Sequence, residues 1–231
     1  MKKILVIAIL MVASLNLVNA QGVTFGAKAG LNLENISGVP NTSASMNIGF
    51  HIGGIVNIGV NESFSVQPEL LYSTAGAKWD QTTTQTFFGV TETIDDNAKY
   101  SLSYIQIPIL AQYKLDNGLF FQAGPYFGIL MGASASETIT TTITGQPTQS
   151  TSVSSSSDSA NNKLDIGLAF GVGYQMPSGL GFSLRYDLGL SSLYKGYSYT
   201  DPSSGLTITQ PDYGKNGVIQ ISVHYMFGMG K

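Results

Sequence analysis

The sequence predicts an all-β protein, an eight-stranded antiparallel up-and-down transmembrane β-barrel. Three observations predict it. Leu164 to Tyr194 holds two long strands of alternating sequence, each with its apolar residues on one face. Charged residues are only 11% of the chain, against about 25% in soluble domains. The segments joining the alternating stretches are short and long by turns. A soluble sandwich buries its apolar face and wets the polar one. A membrane barrel turns the apolar face to lipid and keeps the polar face within.

Residues 1–20 read as an export signal. Met1-Lys2-Lys3 is the basic start, Ile4 to Val18 the apolar core, and Val18-Asn19-Ala20 precedes cleavage at Gln21. That core is too short for a comfortable helical span, which leaves 21–231 as the barrel domain. With no cysteine in the chain, a lipoprotein anchor, disulfides and thiolate chemistry are excluded. Losing Lys2 and Lys3 from the 11 basic residues leaves 9 against 14 acidic ones, a net charge of −5. No basic patch points to nucleic acid.

Each strand follows from period-two alternation. The first, 23–33, sets Val23, Phe25, Ala27, Ala29, Leu31 and Leu33 against Thr24, Gly26, Lys28, Gly30 and Asn32. The second, 46–58, carries Ile48, Phe50 and Ile52 on one face and His51 on the other. The third, 64–79, turns Phe64, Val66, Leu70 and Tyr72 outward and Gln67, Glu69 and Leu71 inward. The fourth, 99–114, is the least regular. Tyr100, Leu102 and Tyr104 share one parity and Ile105, Ile107 and Ile109 the other, which predicts a bulge near Tyr104. Pro108 removes a ladder donor there. Asp116-Asn117-Gly118 signals a tight hairpin. The fifth, 119–133, places Phe121, Phe127 and Met131 outward and Gln122, Tyr126 and Gly132 inward.

The sixth and seventh strands, 164–176 and 180–194, turn at Pro177-Ser178-Gly179, and the eighth covers 218–227. Segments 34–45, 80–98, 134–162 and 195–216 read as long loops, and 59–63, 115–118 and 177–179 as short turns. Outer-membrane barrels have short periplasmic turns and long external loops. An even strand count then puts both termini in the periplasm. Aromatic residues predict two girdles: Trp79, Tyr100, Tyr194, Tyr197 and Tyr199 at the external side, and Phe64, Tyr113, Phe121, Phe182, Tyr225 and Phe227 at the periplasmic side.

An eight-stranded barrel is just wide enough for side chains to fill. The inward residues Lys28, His51, Glu69, Asp165, Arg185 and Asp187 therefore predict a structural polar network, joined by Gln67, Gln106, Gln122 and Gln220. Buried charges must be paired. The expected pairs are Arg185 with Glu69 or Asp165, and Lys28 with a second carboxylate. Inward glycines of the fifth and sixth strands, among them Gly128, Gly167, Gly171 and Gly173, are expected to leave room for Arg185 and Tyr126.

VQPELLYSTAGAK (66–78), YIQIPILAQY (104–113), QAGPY (122–126), IGLAFGVGY (166–174) and LRYDLGL (184–190) resemble the PorT-type outer-membrane β-barrel family of Bacteroidetes. The resemblance spans nearly the whole mature chain. It implies an OmpA/OmpX-like eight-stranded barrel and no cofactor, and it transfers no single activity. The family's namesake is tied to gliding and protein secretion.

Other motifs weigh less. Gly167…Gly171-Val172-Gly173 lies inside a strand with no helix after it, so it is no dinucleotide loop. His51 and His224, with a serine or Glu69, are the only candidates for a lipid-modifying hydrolase or a metal site, and no G-x-S-x-G elbow accompanies them. Asp158-Ser159-Ala160 resembles a short O-glycosylation motif at Ser159, and Asn41-Thr42-Ser43 and Asn61-Glu62-Ser63 match the N-glycosylation pattern. The expectation is a non-enzymatic outer-membrane protein in contact with lipid. An external ligand or envelope protein would meet it at loops 34–45, 80–98, 134–162 and 195–216, for adhesion, surface recognition or docking. The alternative is a small transport or lipid-handling barrel of the OmpW type, which needs an apolar lumen and a lateral opening.

Overall fold

The computed structural model describes residues 22–38, 46–156, 162–201 and 205–227. The export segment, Asn41-Thr42-Ser43 and Asp158-Ser159-Ala160 lie outside the described residues. The strands are β1 (Val23–Ser37), β2 (Asn47–Gly59), β3 (Phe64–Phe87), β4 (Val90–Lys114), β5 (Leu119–Ile143), β6 (Gln149–Ser156), β7 (Leu164–Gln175), β8 (Leu180–Gly189), β9 (Tyr197–Thr200), β10 (Thr207–Gln210) and β11 (Lys215–Met226). Eight of them close a ring in the order β1-β2-β3-β4-β5-β7-β8-β11, every neighbour antiparallel. Closure satisfies both sides of each strand and leaves no edge within the ring.

The faces are inverted relative to a soluble protein. Leu31, Phe50, Phe170, Leu184 and Ile221 point out and stand 48–54% exposed. Lys28, Glu69, Arg185 and Asp187 point in and are at most 3% exposed.

Positive-φ glycines close tight turns. Gly118 (φ 90°) closes the 115–119 hairpin and Gly179 (φ 92°) the 176–180 hairpin. Phe88 (φ 49°) and Gly89 (φ 79°) form the two-residue turn between β3 and β4. Two positive values in a row match the twist of a type I′ hairpin.

The long connections are not the loops the sequence suggests. β3 and β4 run on, paired without a break from Gly76–Ser101 to Phe87–Val90. β5 continues to Ile143, and β6 pairs with its upper half, Ser134 to Thr141. The upper parts of β3, β4, β5 and β6 thus form a four-stranded sheet standing on one end of the barrel, the tall end. β9 and β10 make a small hairpin within 195–216, and β1 extends to Ser37 within the expected 34–45 loop. Alternation fails as a signal here because threonine and serine populate both faces, while β-branched threonine still favours the extended chain.

The predicted bulge exists on a different strand. Ser103 pairs with Gly132 but Tyr104 pairs with Leu130, so the extra residue is Met131 of β5. β4 alternates regularly: Tyr104 and Gln106 face in, Ile105 and Ile107 out. Its two parities are both apolar because the upper lumen is itself apolar. Pro108 leaves a gap in the β3–β4 ladder between Pro68–Ile109 and Leu71–Gln106, and no shift in register.

Candidate functional site

Four of the six predicted lumen residues meet in one cluster. Glu69 reaches in from β3, Lys28 from β1, and Arg185 and Asp187 from β8. Arg185 Nη1 donates to Glu69 Oε2 at 2.7 Å, and Arg185 Nε lies 3.0 Å from Asp187 Oδ1. Lys28 Nζ contacts both Glu69 oxygens at 3.2 Å. Lys28 therefore shares Glu69 with Arg185 and does not find a second carboxylate. Two cations face two anions, so the cluster is neutral. Gln67 donates to Glu69 (2.9 Å), Gln106 to Asp187 (2.8 Å), and Gln220 accepts from Arg185 (2.5 Å). These bonds offset part of the cost of taking the charges out of water, while Arg185 Nε and Asp187 Oδ1 meet as an ion pair without a hydrogen bond.

His51 and Asp165 belong to separate networks. Asp165 accepts from Asn216 (2.9 Å), Ser191 (2.9 Å) and the Tyr126 hydroxyl (3.4 Å), and not from Arg185. His51 Nδ1 lies 2.7 Å from Asn32 Oδ1, and its Nε2 lies 2.9 Å from Ser222 Oγ. The Ser–His–Asn order matches a hydrolase triad in bond lengths. All three are at most 2% exposed, and no cavity described at the site admits a substrate to Ser222. The arrangement is a polar joint between β1, β2 and β11. His224 sits elsewhere, bonded to Gln175 at 2.7 Å and edge-on to Phe120. Among the described residues, no three His, Asp or Glu side chains converge as a metal site.

The inward glycines make the expected room for Tyr126, and also for Phe120. A Cβ on Gly167 would lie 2.4 Å from the Tyr126 ring, and one on Gly173 would lie 2.2 Å from the Phe120 ring.

Above the polar zone the lumen changes character. Ala75, Ala77, Tyr100, Leu102, Tyr104, Ala133, Ile36 and Leu193 pack together, with Trp79 and Tyr194 partly buried against them. Trp79, Tyr100 and Tyr194 thus point inward as a plug, and they form no girdle on the outside. The ring at the other end does face outward, with Phe64 against Tyr113 (centroids 4.7 Å apart) and Tyr225 against Phe227 (5.6 Å). Deep in the polar zone, a cavity of about 20 Å³ lies beside Gln106, Tyr126 and Asp187, room for roughly one water; a second, of about 200 Å³, lies at the short-turn end beside Asn57, Gln67, Gln112 and Gln175.

An oily exterior, a polar interior and a closed ring describe a chain whose solvent is lipid. Residues 19–195 match the family model for the outer membrane protein beta-barrel domain. The chain belongs to this family. As an outer-membrane β-barrel, it is similar in fold to several solved barrels. Ail, the attachment invasion locus protein of Yersinia pestis, is 13% identical, with a TM-score of 0.42 over 90% of this chain and 100% of that one. Neisserial surface protein A is 11% identical, with a TM-score of 0.35 over 89% and 99%. CarO of Acinetobacter baumannii is 14% identical, with a TM-score of 0.34 over 87% and 97%. No curated protein matches the chain in sequence.

Beyond the ring stands the tall end. The outward face of the tall sheet is a lattice of hydroxyls. Thr84 faces Thr93 and Thr86 faces Thr91, while Thr138 bonds Ser152 (3.0 Å) and Thr140 bonds Ser150 (3.2 Å). Beside it, the segment between β8 and β11 is pinned at its base. Tyr194 stacks on Tyr213 (5.0 Å), and Asp212 accepts from the Gly196 N–H (2.7 Å) and Asn162 Nδ2 (3.1 Å). The Gly196 N–H foremost, then Asn162, holds the exposed Asp212 carboxyl below the usual carboxylate range. Of this surface, the segments are legible in the sequence and their strands are not.

Proposed function

We propose that this protein is a non-enzymatic structural or interaction barrel of the PorT type. On this reading residues 1–20 direct export and are removed, and 21–231 form the barrel. The termini lie in the periplasm and the tall end lies outside. Lys28, His51, Glu69, Asp165, Arg185 and Asp187 hold the wall together from within. The tall sheet and the 195–216 segment contact an external ligand or an envelope partner, in adhesion, surface recognition or docking.

One observation carries the reading: the Arg185–Glu69 pair spans the lumen between opposite walls. A lumen crossed by a buried ion pair and capped by an apolar plug serves neither passage nor turnover, which leaves the projecting strands to act. Planar-bilayer recording tests it. The purified mature chain is expected to give no large, stable current steps, and such steps would overturn the filled lumen. The OmpW-type alternative draws on the apolar upper lumen. Its lateral opening has no support in a ring whose strands are paired all round.

A further inference from the structure

β6 ends the sheet. Its only partner is β5, and its other side pairs with nothing among the described residues. Natural proteins guard such edges with charges, proline or bulges. β6 reads Gln-Ser-Thr-Ser-Val-Ser-Ser-Ser, without a charge, proline or glycine, and is exposed along its whole length. Val153 is 61% exposed. The opposite edge of the tall sheet, on β3, carries Lys78 and Asp80 as guards.

The two-fold symmetry of a self-pairing selects the geometry. Two identical edges form an isologous contact about a two-fold axis. An antiparallel ladder is perpendicular to its strands and accommodates that axis; a parallel ladder is slanted and staggered, and does not. Antiparallel pairing of β6 with its copy sets the two barrels at opposite ends of the joined sheet. Two copies in one membrane point the same way and cannot meet so. We propose that β6 pairs with β6 of a second copy of this chain on a facing membrane. The proposal rests on the reading that the tall end lies outside.

A two-fold through Val153 places Val153 against its own copy on one face. On the other face Ser152 meets Ser154 and Ser150 meets Ser156, hydroxyl to hydroxyl. The Thr138–Ser152 and Thr140–Ser150 bonds already make such contacts between β5 and β6. Eight residues a side fall short of the roughly 20–30 of a stable interface. One pair is weak; many pairs between two membranes add as avidity.

The chain has no native cysteine, so Val153→Cys supplies a single thiol at the axis. Two vesicle populations carrying this variant with different tags are mixed under mild oxidation. Disulfide dimers containing both tags are expected. Vesicles of the unsubstituted chain should cluster, and Val153→Lys or Val153→Glu vesicles alone should fall to the level of protein-free vesicles, since like charges directly opposite repel. Mixing the Lys and Glu populations should restore clustering. Disulfide dimers that only ever join chains of one vesicle population overturn the proposal. So does the absence of dimers, or undiminished clustering by Val153→Lys. A membrane-impermeant maleimide on intact cells separates the two failures. If Val153→Cys is labelled from outside but never pairs across membranes, only this proposal falls; if it is shielded, the outward tall end falls with it.

Discussion

Arg185 of β8 and Glu69 of β3 are joined at 2.7 Å across the full width of the barrel. β3 and β8 stand opposite each other in the ring of eight. The bond ties walls that share no ladder, and Lys28 of β1 reinforces it on the same carboxylate. Breaking a buried pair leaves a charge uncompensated, which costs roughly 3–5 kcal/mol. Glu69→Gln strips both cations of a partner and should cost in that range. Lys28→Met removes one of two cations from a carboxylate that keeps Arg185 and should cost less. Denaturant unfolding of the folded barrel in detergent gives the order; a larger loss for Lys28→Met would refute the shared-carboxylate account.

His51→Leu should destabilise without touching any activity. It orphans Asn32 Oδ1 and Ser222 Oγ, each buried, at about 1–3 kcal/mol per group. The same unfolding measurement reads the loss. In parallel, an ester-hydrolysis assay should give the same background for the native chain and for Ser222→Ala. A native rate above that of Ser222→Ala would make the His51 joint a catalytic site after all.

Two glycines should respond oppositely to alanine. At Gly167 the new Cβ would stand 2.3 Å from Leu188 O and 2.4 Å from Tyr126, an overpacking worth roughly 1–3 kcal/mol. At Gly132, beside the Met131 bulge, nothing lies within 4 Å. Gly132→Ala should be neutral or slightly stabilising, by reducing the freedom of the unfolded chain. Equal losses at both positions would contradict the packing described here.

Asp212 should make the loop base acid-sensitive. Its folded pKa is depressed by the Gly196 N–H and Asn162. The stabilisation is therefore fully present above the ordinary aspartate value of about 3.9, and it is lost as pH falls through the lower folded value. The Gly196 amide resonance in micelles should titrate with a midpoint below that ordinary value. Asp212→Asn should abolish the titration, and a midpoint at or above it would contradict the assignment.

Alternation alone located the eight ring strands, because lipid on one side and a polar lumen on the other impose period two on Leu164–Gln175 as on Val23–Leu33. The same logic named the inward residues Lys28, Glu69 and Arg185. It could not say that Lys28 and Arg185 share one carboxylate, since this depends on β1, β3 and β8 meeting at one level, a matter of register. It did not single out Asn32, Ser222 and Asn216 as members of the polar networks, since their small side chains attract notice only beside His51 and Asp165. It placed Trp79 and Tyr100 outside, because an aromatic near a strand end looks alike whether it anchors in lipid or plugs a mouth. It read Thr82–Thr86 and Thr138–Thr142 as loop, because solvent on both faces erases the period.

β5 is one strand from Leu119 to Ile143, paired with β4 throughout and with β7 below and β6 above. The tall sheet is therefore not a module hung on a linker. Tension on its tip passes straight down strands that are also staves of the barrel. It loads their ladder bonds side by side, in shear, where many must yield together, whereas peeling would open them singly. The lipid-embedded half thereby becomes the mechanical anchor of the half that stands clear of it.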